Sequence, residues 1–374
     1  MNFSVSNPET SKLESVVQFF ANDVAKLNEK LAQLEREIDP GAVPVVGDAF
    51  HQRVVAALDE SQVACKNFTL EHLEDAQVLK DVRAGFLAET DRFFAQSWLG
   101  HRARTKPNGF VGDYEMLRKL YDEVPPARGL GGYIDLWILD LPLARAVRTR
   151  LKSARAFLLA ELAARKGDVR ILDVASGPCR EFHDWPAVGD RKVSITAMDT
   201  CPEALNYVGS SVVPIVTEGT TLKPVRYNAL RTTNADSTVK QFGKFDVIYS
   251  VGLCDYLTDD QLVRLFSAWR DTLDDDGVML VAFKDTEQYD HSPYQWHLDW
   301  YFYQRTVADV LRLYEQSGIT VDEIETSRDG TGIITNFVSR KVGSVLRRRT
   351  DSAESIKPNL DLGDVAASAE AAAS

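Results

Sequence analysis

Two acidic residues, each closing an apolar, β-branched run, are placed to hold a ligand. Asp173 ends the run 169–174 (VRILDV) and leads into Ala175, Ser176, Gly177 and Pro178. Asp199 follows a second run, 193–198 (VSITAM). The distance between them fits one strand–helix–strand unit, and in an open α/β sheet ligands bind beyond the carboxyl ends of the strands. Small residues at Ala175, Ser176 and Gly177 let a ligand approach the backbone. A helix opening just after them would offer free N–H groups to an anion. An acid at the end of a second strand can accept two hydrogen bonds from ribose hydroxyls, roughly 1.5–3 kcal/mol each when charge-assisted. Together the two corners suit an aminoacyl nucleoside. Alone, Asp199 would read as an N-cap for Pro202–Leu205. The dinucleotide signature GxGxxG is a poor fit, because one of its glycines is present here.

Two later strand ends extend the same cleft. Asn228 and Ala229 close a weaker run, 224–230, where an amide would read an adenine edge or serve a turn. In 245–257 (FDVIYSVGLCDYL), Tyr249, Ser250, Val251 and Gly252 would lie under the ligand, with Asp255 and Tyr256 at the mouth. For Asp255 a helix cap is the competing role.

The elements that must position these groups follow from periodicity. Further apolar runs at 277–283, 319–325 and 333–340 alternate with helical stripes at 258–273 and 306–317. Alternation of this kind predicts a mostly parallel sheet covered on both faces. Leu143, Val147, Leu151, Leu158 and Leu162 mark a helix leading into it. Upstream, residues 46–125 show helical faces and no β alternation. In 11–38, Leu13, Val17, Phe20, Val24, Leu27, Leu31, Leu34 and Ile38 recur at spacings of three and four, a heptad seam. That seam packs either on its own domain or against a second copy, giving a homodimer through the N-terminal helices. Between Thr105 and Tyr114 lies a loop with Pro107, Asn108, Gly109 and Gly112, a connector or a binding loop carrying Phe110 and Tyr114. Gly129, Gly131 and Gly132 read as a second break. The expected division is a helical domain over 1–128, an α/β domain over 129–342 and a disordered tail over 343–374, the last rich in Ala, Ser, Asp and Glu. Arg347, Arg348 and Arg349, just before the Ala- and Ser-rich stretch 350–374, read as a solvated charge run.

Composition narrows the partners. The chain has 374 residues, 44% of them hydrophobic and 26% charged, as in a soluble globular protein. A net charge of −12 repels phosphate backbones, so nucleic acid is not expected as a partner. No stretch reaches the ~18 apolar residues of a spanning helix, and no signal-peptide pattern opens the chain, so neither membrane insertion nor export is expected. Four scattered cysteines fit a reducing cytoplasm, and six histidines without HxxH or HExxH spacing leave no expected metal site.

The segments DVASGP, the acid ending the second run, FDVIYS and GLCDYL resemble the seven-strand class I S-adenosylmethionine (SAM)-dependent methyltransferases, over roughly residues 130–342. The resemblance implies a Rossmann-like, seven-stranded, mostly parallel, doubly wound sheet, with SAM as cofactor. A narrower resemblance rests on KPNGFVGDYEM (Lys106 to Met116), YIDLWILDLPLARAVRTR (Tyr133 to Arg150) and DWYFYQRT (Asp299 to Thr306). These are similar to the bacterial extracellular-factor 3-hydroxypalmitic acid methyl ester biosynthesis proteins, with their KPRGYAGDY-like loop and GLFDYL-like segment. Asn108, Phe110, Val111 and Cys254 depart from those patterns.

The narrower resemblance implies methyl transfer to a fatty-acid carboxylate. Such an acceptor is already ionised at neutral pH, with a pKa of about 4, and needs no general base. Phe110, Tyr114 and Tyr133 are candidates to hold the sulfonium methyl by cation–π attraction. Trp296, Trp300, Tyr301, Phe302 and Tyr303 would wall an acyl tunnel or pack a core. Arg305 or Arg148 could orient a substrate carboxylate, against the alternative of a structural ion pair. A small-molecule O- or N-methyltransferase is the second reading, with His101, His291 or His297 as base. A non-catalytic SAM-binding protein is the third.

Overall fold

The structure is a computed structural model that describes residues 8–340. The expected tail over 343–374, with its arginine run, lies outside the described residues. In chain order the helices are α1 (Pro8–Gln18), α2 (Ala25–Glu37), α3 (Ala49–Glu71), α4 (Ala76–Phe94), α5 (Trp98–Thr105), α6 (Tyr114–Asp122) and α7 (Gly129–Asp140). Then follow α8 (Pro142–Ala164), α9 (Pro202–Tyr207), α10 (Ala235–Phe242), α11 (Asp259–Thr272), α12 (Ser292–His297) and α13 (Val307–Gln316). The chain divides into two compact units. One takes residues 8–112, 122–144 and 290–301; the other takes 113–121, 145–289 and 302–340.

In the helical unit, aspartate and serine side chains start α3, α4 and α5 by accepting orphan backbone N–H groups. Asp48 caps α3 through His51 N at 2.7 Å, and Ser97 caps α5 through Gly100 N at 2.9 Å. The N-terminal seam departs from the uninterrupted helix expected over 11–38. A π-helical segment, Phe19–Val24, separates α1 from α2. Its extra residue rotates the buried face. Phe19, Val24, Leu27, Leu31, Leu34 and Ile38 are buried, whereas Leu13 and Val17 are 66% and 57% exposed. From Val24 onward the seam is thus spent inside its own unit, where α2 packs on α3, α4 and α7. The glycines expected to break the chain at 129–132 instead open α7, whose residues Gly129 to Leu139 are buried throughout. A Cβ on Gly131 would stand 2.0 Å from the carbonyl oxygen of Gln96, so only glycine permits that approach.

The second unit carries a seven-stranded sheet: β1 (Val169–Val174), β2 (Val193–Asp199), β3 (Thr220–Arg226), β4 (Phe245–Ser250), β5 (Leu273–Lys284), β6 (Ile324–Arg328) and β7 (Ile334–Arg340). Their spatial order is β3-β2-β1-β4-β5-β7-β6. The first five run parallel, and β7 runs antiparallel to both β5 and β6. This is a Rossmann-like, doubly wound sheet, with the order reversing between β1 and β4. Alternate residues feed opposite faces. Ile171 and Val247 pack with Leu158, Phe182 and Trp185 on one side. Leu172 and Ile248 pack with Phe266, Trp269 and Tyr314 on the other. Asp173 lies level with Ala197 of β2 and Tyr249 of β4, so three strands end side by side. Among the described residues no helix is long and apolar enough to cross a membrane.

Candidate functional site

The loop after β1 folds tightly against the end of β2. Ala175, Gly177 and Cys179 all take left-handed backbone, with φ of 60°, 54° and 50°. Ser176 N donates to Met198 O at 3.0 Å, and Gly177 N donates to Asp199 Oδ2 at 2.9 Å. The other carboxylate oxygen, Oδ1, accepts from Cys201 N at 2.9 Å. Tyr227, just past β3, donates its N–H to Asp199 O at 2.9 Å. Asp199 therefore ties the ends of three chain segments together. A carboxylate offers about four lone-pair positions, and these two backbone bonds leave room for further donors such as hydroxyls. Ser176 is buried and its Oγ has no hydrogen-bond partner, an opening for a polar ligand. Pro178 is buried beside it. Such a corner fits a nucleoside ribose.

One expectation fails at this corner. No helix begins after Pro178. The chain makes a three-residue 3₁₀ turn, Arg180–Phe182, and β2 is reached through extended and turn residues. Pro186 and Gly189 in that stretch deny a longer helix. The anion-binding helix terminus is therefore absent from this place in the fold.

Below the loop sits a buried acidic pair. Asp173 is 2% exposed and Glu181 is 6% exposed. Tyr249 donates its hydroxyl to Glu181 Oε1 at 2.5 Å, and Cys179 Sγ lies 3.7 Å from Asp173 Oδ2. Burial, and then the negative charge of Glu181, push the Asp173 carboxyl well above the usual range. Burial raises Glu181 as well. The pair holds a proton more tightly than free carboxyls do. Beside it, Arg150 on α8 is 4% exposed and lies near Tyr121 and the Glu181 carboxyl. Helix α6 flanks the loop: Leu117 Cδ1 lies 3.5 Å from the place a Gly177 Cβ would take, and Arg118 stacks 4.2 Å above the ring of Tyr207. Tyr114 sits 6.0 Å from the same ring.

The remaining residues singled out in the sequence fall into three groups. Asp173, Ala175, Ser176, Gly177, Pro178 and Asp199 form the corner just described. Ala229, Ser250, Val251 and Gly252 belong to the adjoining strand ends; Ser250 Oγ donates to Val174 O at 3.0 Å and so braces β4 on β1. Asn228 is exposed and caps its own turn through Leu230 N at 2.9 Å, the turn role rather than the adenine one.

A second group is engaged structurally. Asp255 accepts Lys284 N at 3.1 Å and forms a buried ion pair with the Lys284 ammonium, their side chains 3% and 4% exposed. Burial lowers the Lys284 pKa, and the Asp255 charge opposes that shift. Arg305 is pinned by Asp259 Oδ1 at 2.7 Å and Leu257 O at 2.6 Å. The Tyr256 ring lies 5.3 Å from Phe302, whereas Tyr303 is 50% exposed.

A third group belongs to the helical unit. Tyr133 donates its hydroxyl to Asp48 Oδ2 at 2.5 Å. His297 is fully buried among Phe86, Phe94 and Trp137, and its Nε2 faces Ser61 Oγ at 3.2 Å. Burial, then the Arg104 charge, push its pKa down to about 3, so it is a neutral core histidine. Burial also lowers His291. Trp296 is likewise core, against Phe19, Phe68 and Phe86. Phe110 is 39% exposed and Gly112 closes this unit's first segment.

Sequence reasoning gave no role to Arg150, Lys284 or Tyr121. For Arg150 a signal existed: it shares a helix face with the buried Ala146 and Ala154, so a charge stands where the stripe demands an apolar residue.

No family model matches the chain, and no curated protein does. Solved structures are similar. A possible exported protein from Bordetella parapertussis is 15% identical, with 90% of this chain and 99% of that chain covered at a TM-score of 0.51. That likeness extends to the fold. Magnesium protoporphyrin IX methyltransferase from Synechocystis, with SAM bound, is 10% identical and covers 53% of this chain and 83% of that chain at a TM-score of 0.38. The 1,6-didemethyltoxoflavin-N1-methyltransferase of Burkholderia thailandensis is 16% identical, covering 51% and 78% at a TM-score of 0.35.

Proposed function

We propose that this chain is a SAM-dependent methyltransferase of the cytoplasm that esterifies the carboxylate of a 3-hydroxy fatty acid or a related small acid. The observation that carries the cofactor assignment is the bond from Gly177 N to Asp199 Oδ2, 2.9 Å, between the ends of β1 and β2, next to the point where the order of a β3-β2-β1-β4-β5-β7-β6 sheet reverses. It joins a left-handed, small-residue loop to an acid at the next strand end, the corner an aminoacyl nucleoside requires.

When bound, the cofactor supplies an electrophilic methyl group. The chain's own residues bind and orient. Asp199 receives ribose hydroxyls on its remaining lone pairs, and the Ser176 hydroxyl finds a polar partner. No side chain here need remove a proton. Arg305, considered for orienting a substrate carboxylate, is held by Asp259; Asp255 is paired with Lys284, and the base candidate His297 is a buried core residue. That supports an acceptor already ionised at neutral pH, with a pKa of about 4. Rate then rests on in-line placement of donor and acceptor.

The test is to incubate the full chain with methyl-labelled SAM and a panel of 3-hydroxy fatty acids, other acids, amines and phenols, and to identify products by mass spectrometry. A methyl ester, formed at a rate flat above about pH 6, is the expected result. Transfer to an amine or phenol with a histidine-like limb would remove the acid acceptor. Cofactor binding without any transfer would remove catalysis. Cell fractionation checks the compartment.

A further inference from the structure

With no helix after Pro178, the crevice lacks the usual seat for an anion, and its buried neighbours Asp173, Glu181 and Asp199 are all acids. A zwitterionic ligand needs one place for its carboxylate. Lys284 is paired with Asp255, and Arg305 with Asp259 and two backbone carbonyls. Arg150 is different. It is 4% exposed, and its Nε–H has no hydrogen-bond partner. A buried guanidinium with an unused donor is costly unless a ligand completes it.

Its position is as telling as its valence. The Nη2, Cζ and Nη1 atoms of Arg150 lie 3.5, 3.8 and 3.8 Å from the point a Cβ on Gly252 would occupy. The glycine therefore leaves the guanidinium beside bare backbone. Gly252 follows the carboxyl end of β4, and β4 flanks β1 on the side opposite β2. Asp199 and Arg150 thus bracket the β1 loop from two strand spacings apart, on the order of 10 Å. That is the order of the reach from ribose hydroxyls to the α-carboxylate of an aminoacyl nucleoside.

We infer that Arg150 is the anchor for the α-carboxylate of the methionyl group, reading it through its planar fork from above Gly252. The assignment rests on the cofactor reading given above. Arg150 is a binding and positioning residue, one that sets the direction in which the nucleoside lies across the sheet.

Calorimetric titration of the full chain with two ligands tests this: S-adenosylhomocysteine, and 5′-methylthioadenosine, which keeps the nucleoside and thioether but has no amino-acid group. Arg150→Gln should weaken S-adenosylhomocysteine about 10- to 100-fold and leave 5′-methylthioadenosine within about twofold. Arg150→Lys should recover part of the loss, because it keeps the charge without the fork. Retained 5′-methylthioadenosine binding also shows that the variants fold. Unchanged affinity for S-adenosylhomocysteine in Arg150→Gln overturns the inference. So does an equal loss of both ligands, which would make the arginine part of the scaffold. If the unaltered chain fails to bind S-adenosylhomocysteine, the cofactor reading falls first and this inference with it.

Discussion

Replacing Asp199 by alanine separates its two jobs. The carboxylate accepts Gly177 N and Cys201 N, each at 2.9 Å, and is 8% exposed. Alanine leaves both N–H groups without an acceptor, at roughly 1–3 kcal/mol each. Some water entry is expected at the vacated site, so the net loss is about 2–4 kcal/mol. At roughly 2–4 °C per kcal/mol for a domain of this size, the Tm should fall by about 5–15 °C. The fold survives, since native stability is commonly about 5–15 kcal/mol. Binding suffers separately. Two charge-assisted bonds to ribose hydroxyls, at about 1.5 kcal/mol or more each, sum to about 3 kcal/mol, a loss of at least ~100-fold in affinity. Differential scanning calorimetry gives the first quantity. Titration with S-adenosylhomocysteine well below the lowered Tm gives the second. A variant with reduced Tm and undiminished affinity would mean that Asp199 only staples the loop, and the ribose assignment would be wrong.

Three further outcomes follow from the same structure. Lys284→Met should cost about 3–5 kcal/mol by stranding the Asp255 charge, and pairing it with Asp255→Leu should recover much of that loss in a urea midpoint. The Asp173–Glu181 pair binds its proton more tightly folded than unfolded, chiefly through burial. Its contribution to stability is therefore full below the unfolded carboxyl pKa of about 4 and declines as pH rises from there. Asp173→Asn should accordingly flatten the fall in denaturation midpoint above that pH; an unchanged slope would contradict the raised pKa. Gly131→Ala drives a Cβ to 2.0 Å from the backbone oxygen of Gln96, so α7 or α5 must move, and the Tm should drop by the equivalent of about 3 kcal/mol or more.

The sheet was legible where strands are buried on both faces. The runs 169–174, 193–198 and 245–251 coincide with β1, β2 and β4 to within a residue or two, because parallel central strands are written as continuous apolar segments. β3 was placed about four residues late. It is an edge strand, half exposed, and carries Pro224, so its sequence shows neither an unbroken apolar run nor clean alternation. The π-helical segment at Phe19–Val24 left the three-and-four spacing intact on either side, which is why the seam read as continuous through Leu13 and Val17.

The candidate site was legible as a corner and not as a set of roles. Gly177 and Asp199 were recognisable because strand-end chemistry depends on local sequence. The occupation of Asp255 by Lys284 and of Arg305 by Asp259 depends on side chains 29 and 46 residues away, and no periodicity encodes such pairs. The burial of His297 depends on helices more than a hundred residues earlier in the chain. Histidine type alone gave no means of telling a base from a core residue.

The central claim is that the corner between β1 and β2 receives a SAM-type nucleoside. A crystal of the full chain grown with S-adenosylhomocysteine tests it most directly. The account places the ribose hydroxyls within hydrogen-bond distance of the Asp199 carboxylate and the aminoacyl group along Ala175–Gly177. Ligand density at any other place in the fold, with that corner filled by the chain's own side chains, would contradict it.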